Sequence, residues 1–294
     1  MNGRCNELRS PWLSAWVTLE VIAVAFLIFV MIGCRAESSQ PTPLSSAATS
    51  VDAARNQLTA AEAEDGWALL FDGETFEGWR GLGREGVPDA HWVVEDGSIH
   101  KVASGDVRTA ADGQPLEGGD IMTTGTYASF ELMLEWRVAP GANSGIKYNV
   151  SEAMSMAAEP RHAALGFEYQ ILDDDLHADA ANGPDRTAGA MYDLVGPSAA
   201  KQLRPVGEFN AARLIFDGGH GEHWLNGAKV VEFDLDSEEF AALLAASKYA
   251  PIAGFAEPRA GHIVLQDHGD DVWFRSIKIR ELSPLAGATG SGAR

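Results

Sequence analysis

Two stretches of this chain carry polar side chains at every second position, and those side chains are of kinds that move protons. Glu168 and Gln170 alternate with Phe167, Tyr169 and Ile171, while Glu135 and Arg137 alternate with Leu134 and Trp136. Successive side chains of an extended chain point to opposite faces, so each polar pair shares a face, and with Phe130 and Phe167 turned to the core all four could lie on one concave sheet. An acidic loop follows the first stretch: Asp173-Asp174-Asp175-Leu176-His177-Ala178-Asp179. A carboxylate and an imidazole within reach of one substrate can take a proton from one atom and deliver one to another. Glu168 and His177 are therefore the leading acid–base pair, with Glu135 a further carboxylate. Gln266 and His268 share a face if their segment stays extended, with Lys147 on a neighbouring strand. Asn143, Gln170 and Gln266 offer amides to hydroxyl groups, and Arg137 and Lys147 offer positive charge.

Each of these residues also has a plain structural reading. Glu135 and Arg137 could be a cross-strand ion pair. The acidic run could be a solvated loop, or one that supports calcium, since carboxylates in a turn are hard oxygen ligands. It lacks the glycine and terminal glutamate of an EF-hand. The carboxylate and histidine types also suit a catalytic divalent cation, so metal dependence stays open, and no cofactor is certain. Asn143-Ser144-Gly145 could bind a sugar hydroxyl or form a turn. His223 beside Trp224 reads as a satisfied strand histidine, and Trp92, Trp136 and Trp273 as core aromatics. Gly81-Leu82-Gly83-Arg84-Glu85-Gly86 matches a dinucleotide fingerprint without its strand–turn–helix setting. No Gly-x-Ser-x-Gly elbow lies between a strand and a helix.

These residues are positioned by short strands. Phe130–Arg137, Phe167–Leu172, Ile263–Gln266 and Trp273–Arg280 read as strands. So do Trp92–Val94, Gly145–Val150, Ala190–Leu194, Arg213–Phe216 and His223–Leu225. Asp96-Gly97, Asp217-Gly218-Gly219, Asn226-Gly227 and Gly269-Asp270 punctuate them, and Asn226-Gly227 is a strong hairpin signal. One helix stands out, with Ser237 as its N-cap, Glu238 and Glu239 in its first turn, and Phe240, Leu243 and Leu244 as its stripe. Many strands with a single good helix predict an all-β sandwich.

Ahead of this body, Val21–Ile32 is an apolar run preceded by Arg4 and Arg9 and followed by Gly33-Cys34. As a helix it would cover about two-thirds of a ~30 Å hydrocarbon core. The pattern resembles a bacterial lipoprotein signal, which would make Cys34 the lipidated residue; an uncleaved signal anchor is the alternative. Either places the body outside the cytoplasmic membrane, in the periplasm or on the cell surface, tethered to that membrane. The expected layout is a signal over residues 1–34, a flexible linker over 35–64, the sandwich over 65–283 and a disordered tail over 284–294. The 294 residues carry 22 basic and 42 acidic side chains, a net charge of −20. That excess of negative charge argues against nucleic acid as a partner. Two cysteines, Cys5 and Cys34, exclude both a four-thiolate zinc site and a disulfide scaffold.

Taken in order, the local motifs resemble one family. They run from Leu69-Leu70-Phe71-Asp72-Gly73 and Gly78-Trp79 through Trp92-Val93-Val94-Glu95-Asp96-Gly97, Glu135-Trp136-Arg137 and Ala142-Asn143-Ser144-Gly145-Ile146. Gly166-Phe167-Glu168-Tyr169-Gln170-Ile171-Leu172-Asp173-Asp174 and Glu208-Phe209-Asn210 follow. His223-Trp224-Leu225-Asn226-Gly227 and Gly261-His262-Ile263-Val264-Leu265-Gln266-Asp267-His268-Gly269 lead into Phe274-Arg275-Ser276-Ile277-Lys278-Ile279. This order is similar to the 3-keto-disaccharide hydrolase domain family. The resemblance implies a concanavalin-like jelly-roll sandwich and an exported enzyme acting on 3-keto-glycosides as small-molecule sugar substrates. Lys147 stands where the family often has arginine, which keeps the charge and loses the bidentate fork. A ketone at C3 of a sugar acidifies the C2 hydrogen, so such a site needs a base, an acid for the leaving oxygen and positive charge near the enolate. A non-catalytic carbohydrate-binding module of the same fold is the alternative. A retaining glycosidase using two carboxylates is a third reading, although no Glu-x-Asp-x-x-Glu strand is present.

Overall fold

A computed structural model describes residues 55–110, 114–158 and 163–282. The apolar run Val21–Ile32, Cys34, most of the expected linker and the tail lie outside the described residues. No helix among the described residues is long and apolar enough to cross a membrane.

The first strands are β1 (Ala68–Leu69), β2 (Trp79–Gly81), β3 (Trp92–Glu95), β4 (Ser98–Lys101) and β5 (Ile121–Thr123). Next come β6 (Phe130–Val138), β7 (Asn143–Val150), β8 (Phe167–Leu172) and β9 (Asn210–Asp217). The last are β10 (His220–Leu225), β11 (Ala228–Asp234), β12 (His262–Leu265) and β13 (Val272–Glu281). The larger sheet has the order β11-β10-β9-β6-β13-β4-β3, with β1 on β13, and the smaller one β2-β5-β12-β7-β8. All these strand pairings are antiparallel. This is the expected all-β sandwich.

Alternation builds the layer between the sheets. Phe130, Leu132, Leu134 and Trp136 of β6 join Ile146 and Tyr148 of β7 and Phe167, Tyr169 and Ile171 of β8 in one hydrophobic cluster. Fully burying side chains of this size contributes roughly 1.5–3 kcal/mol each, enough to hold every strand in one register. Asn226 and Gly227 have φ of 49° and 86°, the left-handed pair that closes the tight hairpin between β10 and β11. The expected helix is α3 (Glu238–Ala246), where the Ser237 hydroxyl accepts the Phe240 N–H.

Four expectations are corrected. Residues 190–194 form no strand; they run along the free edge of β8 through single bridges, and Asp193, at φ 60°, turns the chain away. Trp273 is outside the core, stacked on His100 with ring centres 4.3 Å apart, because β13 alternates it opposite Phe274. Two further helices exist, α1 (Ala60–Glu64) and α2 (Glu152–Ala157), both too short to show helical periodicity in sequence. The body also begins before Asp65. Asn56 accepts the Ser276 N–H at 2.8 Å and donates to the Gly97 carbonyl at 2.9 Å, which fastens the end of the expected linker to the sandwich.

Candidate active site

The smaller sheet turns its apolar positions inward and leaves a polar outer face. β7 contributes Asn143, Gly145 and Lys147 to that face, and β8 contributes Glu168 and Gln170. Register places Gly145 opposite Gln170 and Lys147 opposite Glu168. Gln266, just beyond β12, donates its N–H to the Gly145 carbonyl at 2.9 Å and so borders the same patch. Met122, Val150, Ala164 and Val264 form a small apolar cluster apart from the main core, so the face is divided into an apolar part and a polar bay.

Glu168 is the chemically unusual member. It is only 5% exposed, yet its carboxylate has no hydrogen bond or ion pair among the described residues. Burial pushes its pKa above the ordinary carboxylate value; Lys147 and Lys248 act against that rise, and Asp120 and Asp179 add to it. A buried acid left unpaired is costly to the fold, and pKa-raising sites of this kind are where general bases are found. The carboxylate lies over Gly145, where a Cβ would come 2.7 Å from its Cδ atom. Glycine at that position is what makes room for the acid.

The bay's remaining polar groups divide into committed and open ones. The Lys147 ammonium lies 3.1 Å from Asp120 and donates to the Ala164 carbonyl. Gln170 accepts the Ile171 N–H through Oε1. By contrast, Asn143 Oδ1 and Gln266 Oε1 are buried and accept nothing from the described residues. Two unpaired carbonyl acceptors beside an unpaired carboxylate form a surface that sugar hydroxyls could satisfy. Asn143-Ser144-Gly145 is thus strand and not turn.

The acidic loop is a buttress. Asp173 accepts the N–H groups of Gly141, Asp175 and Leu176, and Asp174 accepts that of Ala188 while pairing with Lys201. Asp179 takes the Tyr192 hydroxyl at 2.7 Å. Those bonds account for carboxylates that sequence alone left open to solvent or calcium. His177 lies close to His268, with ring centres 5.9 Å apart, and to Asp270, whose carboxylate accepts the Asn143 N–H at 2.9 Å. Among the described residues no hydrogen bond or ion pair joins His177 to Glu168, whose charged neighbours are Lys147, Lys248, Asp120 and Asp179.

His177, His268 and Asp270 have ligand atoms within 4.8 Å of one another and could hold a metal ion, as could His220, Glu222 and Glu232. In the second group Lys229 already bridges the two glutamates. In the first, His177 Nδ1 accepts the Asp179 N–H at 3.2 Å, which leaves the ring proton on Nε2. In that tautomer His177 is a neutral donor at Nε2, and a cation would have to displace its proton.

Glu135 and Arg137 do not belong to this bay. The expectation that they share a face with Glu168 and Gln170 fails because β6 lies in the larger sheet and turns them to that sheet's own outer surface. There Glu135 pairs with Arg275 at 2.7 Å, opposite it across β13. Arg137 is packed between Phe209 and Trp273, 4.9 and 4.2 Å from the ring centres. Period-two alternation assigns a face within a strand, but it cannot say which sheet the strand joins.

Sequence reading missed Lys248, Tyr192 and Asp120. Tyr192 donates its backbone N–H to the Glu168 carbonyl at 3.0 Å, and the Lys248 ammonium sits 4.1 Å from the Tyr192 ring centre. Lys248 stands on an irregular segment that carries no periodic signal, Tyr192 on the irregular segment read as a strand, and Asp120 just ahead of β5.

A β-sandwich with a buried, unpaired carboxylate and open amide acceptors on one sheet face is, by fold and site, a glycoside hydrolase-like enzyme. Residues 66–280 match the family described as the 3-keto-alpha-glucoside-1,2-lyase-like domain, and the chain belongs to that family. A 3-keto-disaccharide hydrolase of Bacteroides thetaiotaomicron is 38% identical over 236 residues, covering 74% of this chain and 79% of that protein. Two crystal structures of Parabacteroides distasonis ATCC 8503 proteins assigned to the glycosyl hydrolases are also similar. The first is 30% identical with a TM-score of 0.67, covering 78% of this chain and all of that one. The second is 29% identical with a TM-score of 0.53, covering 74% and 99%.

Proposed function

We propose that the chain cleaves 3-keto-glycosides, 3-keto-disaccharides among them, by removing the C2 proton and expelling the C1 substituent, with net hydrolysis. The observation that carries this reading is Glu168: a carboxylate that is buried, unpaired, pushed up in pKa and given space by Gly145. Ordinary glycosidases of the two-carboxylate kind need a second acid roughly 5–10 Å away. The second carboxylate expected for this site, Glu135, stands on the other sheet.

The ketone at C3 lets a single base do the work. The Glu168 carboxylate takes the C2 hydrogen as a proton, and the C2–H electron pair becomes the C2=C3 bond of an enolate with negative charge on the C3 oxygen. Collapse restores C3=O, forms C1=C2 and breaks the bond from C1 to the leaving oxygen, which takes a proton from water. The hydroxide so produced adds to C1, and Glu168 returns its proton to C2. One water is consumed. Asn143, Gln170 and Gln266 bind sugar hydroxyls, while His177 and His268 form the rim. His177 donates a hydrogen bond through Nε2 and gives up no proton, since losing one from the neutral ring would leave an imidazolate.

The test is incubation with a 3-keto-disaccharide, with and without a chelator, followed by mass analysis of products. Free sugars from the keto substrate, and none from its unoxidised parent, are expected. Tight binding without product would make the chain a carbohydrate-binding module. Loss of turnover on chelation would show that the reaction needs a divalent cation, for which His177, His268 and Asp270 are the candidate ligands in the bay. Export as a lipoprotein is part of the same proposal, supported by the Gly33-Cys34 end of the apolar run. Fatty-acid labelling that disappears in Cys34→Ser would bear it out.

A further inference from the structure

Proton abstraction next to a ketone places a full negative charge on the C3 oxygen, and three cations are candidates to meet it: Lys147 and Lys248, which act on Glu168, and Arg186, which acts on Lys248. Two are already committed. Lys147 is held by Asp120 and the Ala164 carbonyl. Arg186 donates to the Tyr192 hydroxyl and pairs with Asp193 and Asp179. Lys248 differs from both. Its ammonium makes no hydrogen bond or ion pair among the described residues, and it rests instead on aromatic faces, 4.1 Å from the Tyr192 ring centre and 5.1 Å from that of Tyr249.

The backbone fixes that position. α3 ends at Ala246 with Ser247 as its C-cap, and the next N–H, that of Lys248, is accepted by Asp193 at 2.5 Å. Tyr192, the residue before Asp193, is bonded through its N–H to the Glu168 carbonyl at 3.0 Å. The same short segment therefore ties the base and the lysine together. Lys248 is solvent-accessible while Glu168 is buried, so the two line the bay from different depths. Glu168 is the strongest attraction felt by the Lys248 ammonium, and burial of the surrounding cleft lowers its pKa.

We infer that Lys248 is a catalytic residue of this reaction, the cation that donates a hydrogen bond to the C3 oxygen as the enolate forms. The inference rests on the C2-proton-abstraction reading. An ammonium on an aromatic face keeps its charge but has no anion to give up before it can serve a new one. Stabilisation then appears only as charge develops on oxygen, which raises kcat more than it lowers KM. The lysine gives no proton away: the C3 oxygen is negative between proton removal and collapse, and again between hydroxide addition at C1 and return of the proton to C2.

The experiment compares the full chain with Lys248→Met, Lys248→Arg and Lys248→Ala on a 3-keto-disaccharide. Lys248→Met is expected to lose about 10²–10³ in kcat with little change in KM, the usual cost of one donor to a developing oxyanion. Lys248→Arg should recover part of the loss, and small primary amines should partly rescue Lys248→Ala. A merely structural lysine would show a lowered melting temperature and no amine rescue. Unchanged kcat in Lys248→Met, with wild-type turnover intact, would overturn the assignment while leaving the proposed function standing. Absence of keto-sugar turnover by the wild-type chain would remove both.

Discussion

The carboxylate of Glu168 occupies the space in which a side chain on Gly145 would begin. A Cβ built there meets the Cδ and Cγ atoms of Glu168 at 2.7 and 2.8 Å, closer than non-bonded carbons approach. The two residues stand on adjacent strands, Gly145 opposite Gln170 and Glu168 two positions along. Gly145→Ala is therefore expected to displace the acid, not merely to crowd it. Activity should fall by about 10²-fold, the cost of misplacing a reacting group by roughly 1 Å, and a crystal structure of the variant should show the carboxylate rotated away.

Glu168→Gln separates function from stability. Loss of the base should reduce kcat by about 10²–10⁴-fold. The fold should gain. The folded-state pKa of Glu168 is raised, so the protonated acid suits the bay, and stability present below the ordinary carboxylate pKa is lost as pH rises through the raised one. Glutamine carries no such penalty. Melting curves of the two chains should coincide near pH 4 and diverge above it, with the variant the more stable at pH 7. The same titration predicts an acid limb of kcat/KM above the usual carboxylate range.

The outer surface of the larger sheet should be nearly silent in catalysis. Glu135 pairs there with Arg275, on the sheet that does not carry Glu168. Glu135→Gln should leave keto-sugar turnover unchanged and alter stability by no more than about 1 kcal/mol, as for other partly exposed pairs. Gln266→Ala, which removes an open acceptor of the bay, should raise KM. Steady-state kinetics on the two variants checks both statements.

His223 predicts an acid weakness of the fold. It is buried between the Tyr148 hydroxyl, 2.9 Å from Nε2, and the Gly189 carbonyl, and burial pushes its pKa down to about 4 from 6.5. The unfolded chain takes up a proton that the folded chain refuses, so stability is complete above pH 6.5 and declines as pH falls towards about 4. The loss is on the order of 3 kcal/mol. Denaturant titrations at pH 7 and pH 4.5 should show it, and His223→Phe should flatten the difference.

Much of this was legible in the residues themselves. Period-two alternation located β6, β8 and β13 and separated Glu168 and Gln170 from the core, because one buried face fixes register. Asn226-Gly227 and Ser237 marked a hairpin and a helix start through backbone chemistry that acts within a few residues. What alternation could not supply was the partner sheet, and so Glu135 and Arg137 were grouped with a site they do not face. Lys248 was invisible for a different reason. Its role depends on the Asp193 and Tyr192 contacts of a distant irregular segment, and nothing in the neighbouring sequence records them.

The central claim is that Glu168 breaks the C2–H bond of a 3-keto sugar. Competition between a 3-keto-disaccharide deuterated at C2 of the glycone and its unlabelled counterpart tests it most directly. A normal primary isotope effect on kcat/KM, together with no turnover of the unoxidised disaccharide, is the predicted result. Equal rates for the two isotopologues, with the unoxidised disaccharide hydrolysed as fast as the keto one, would contradict it.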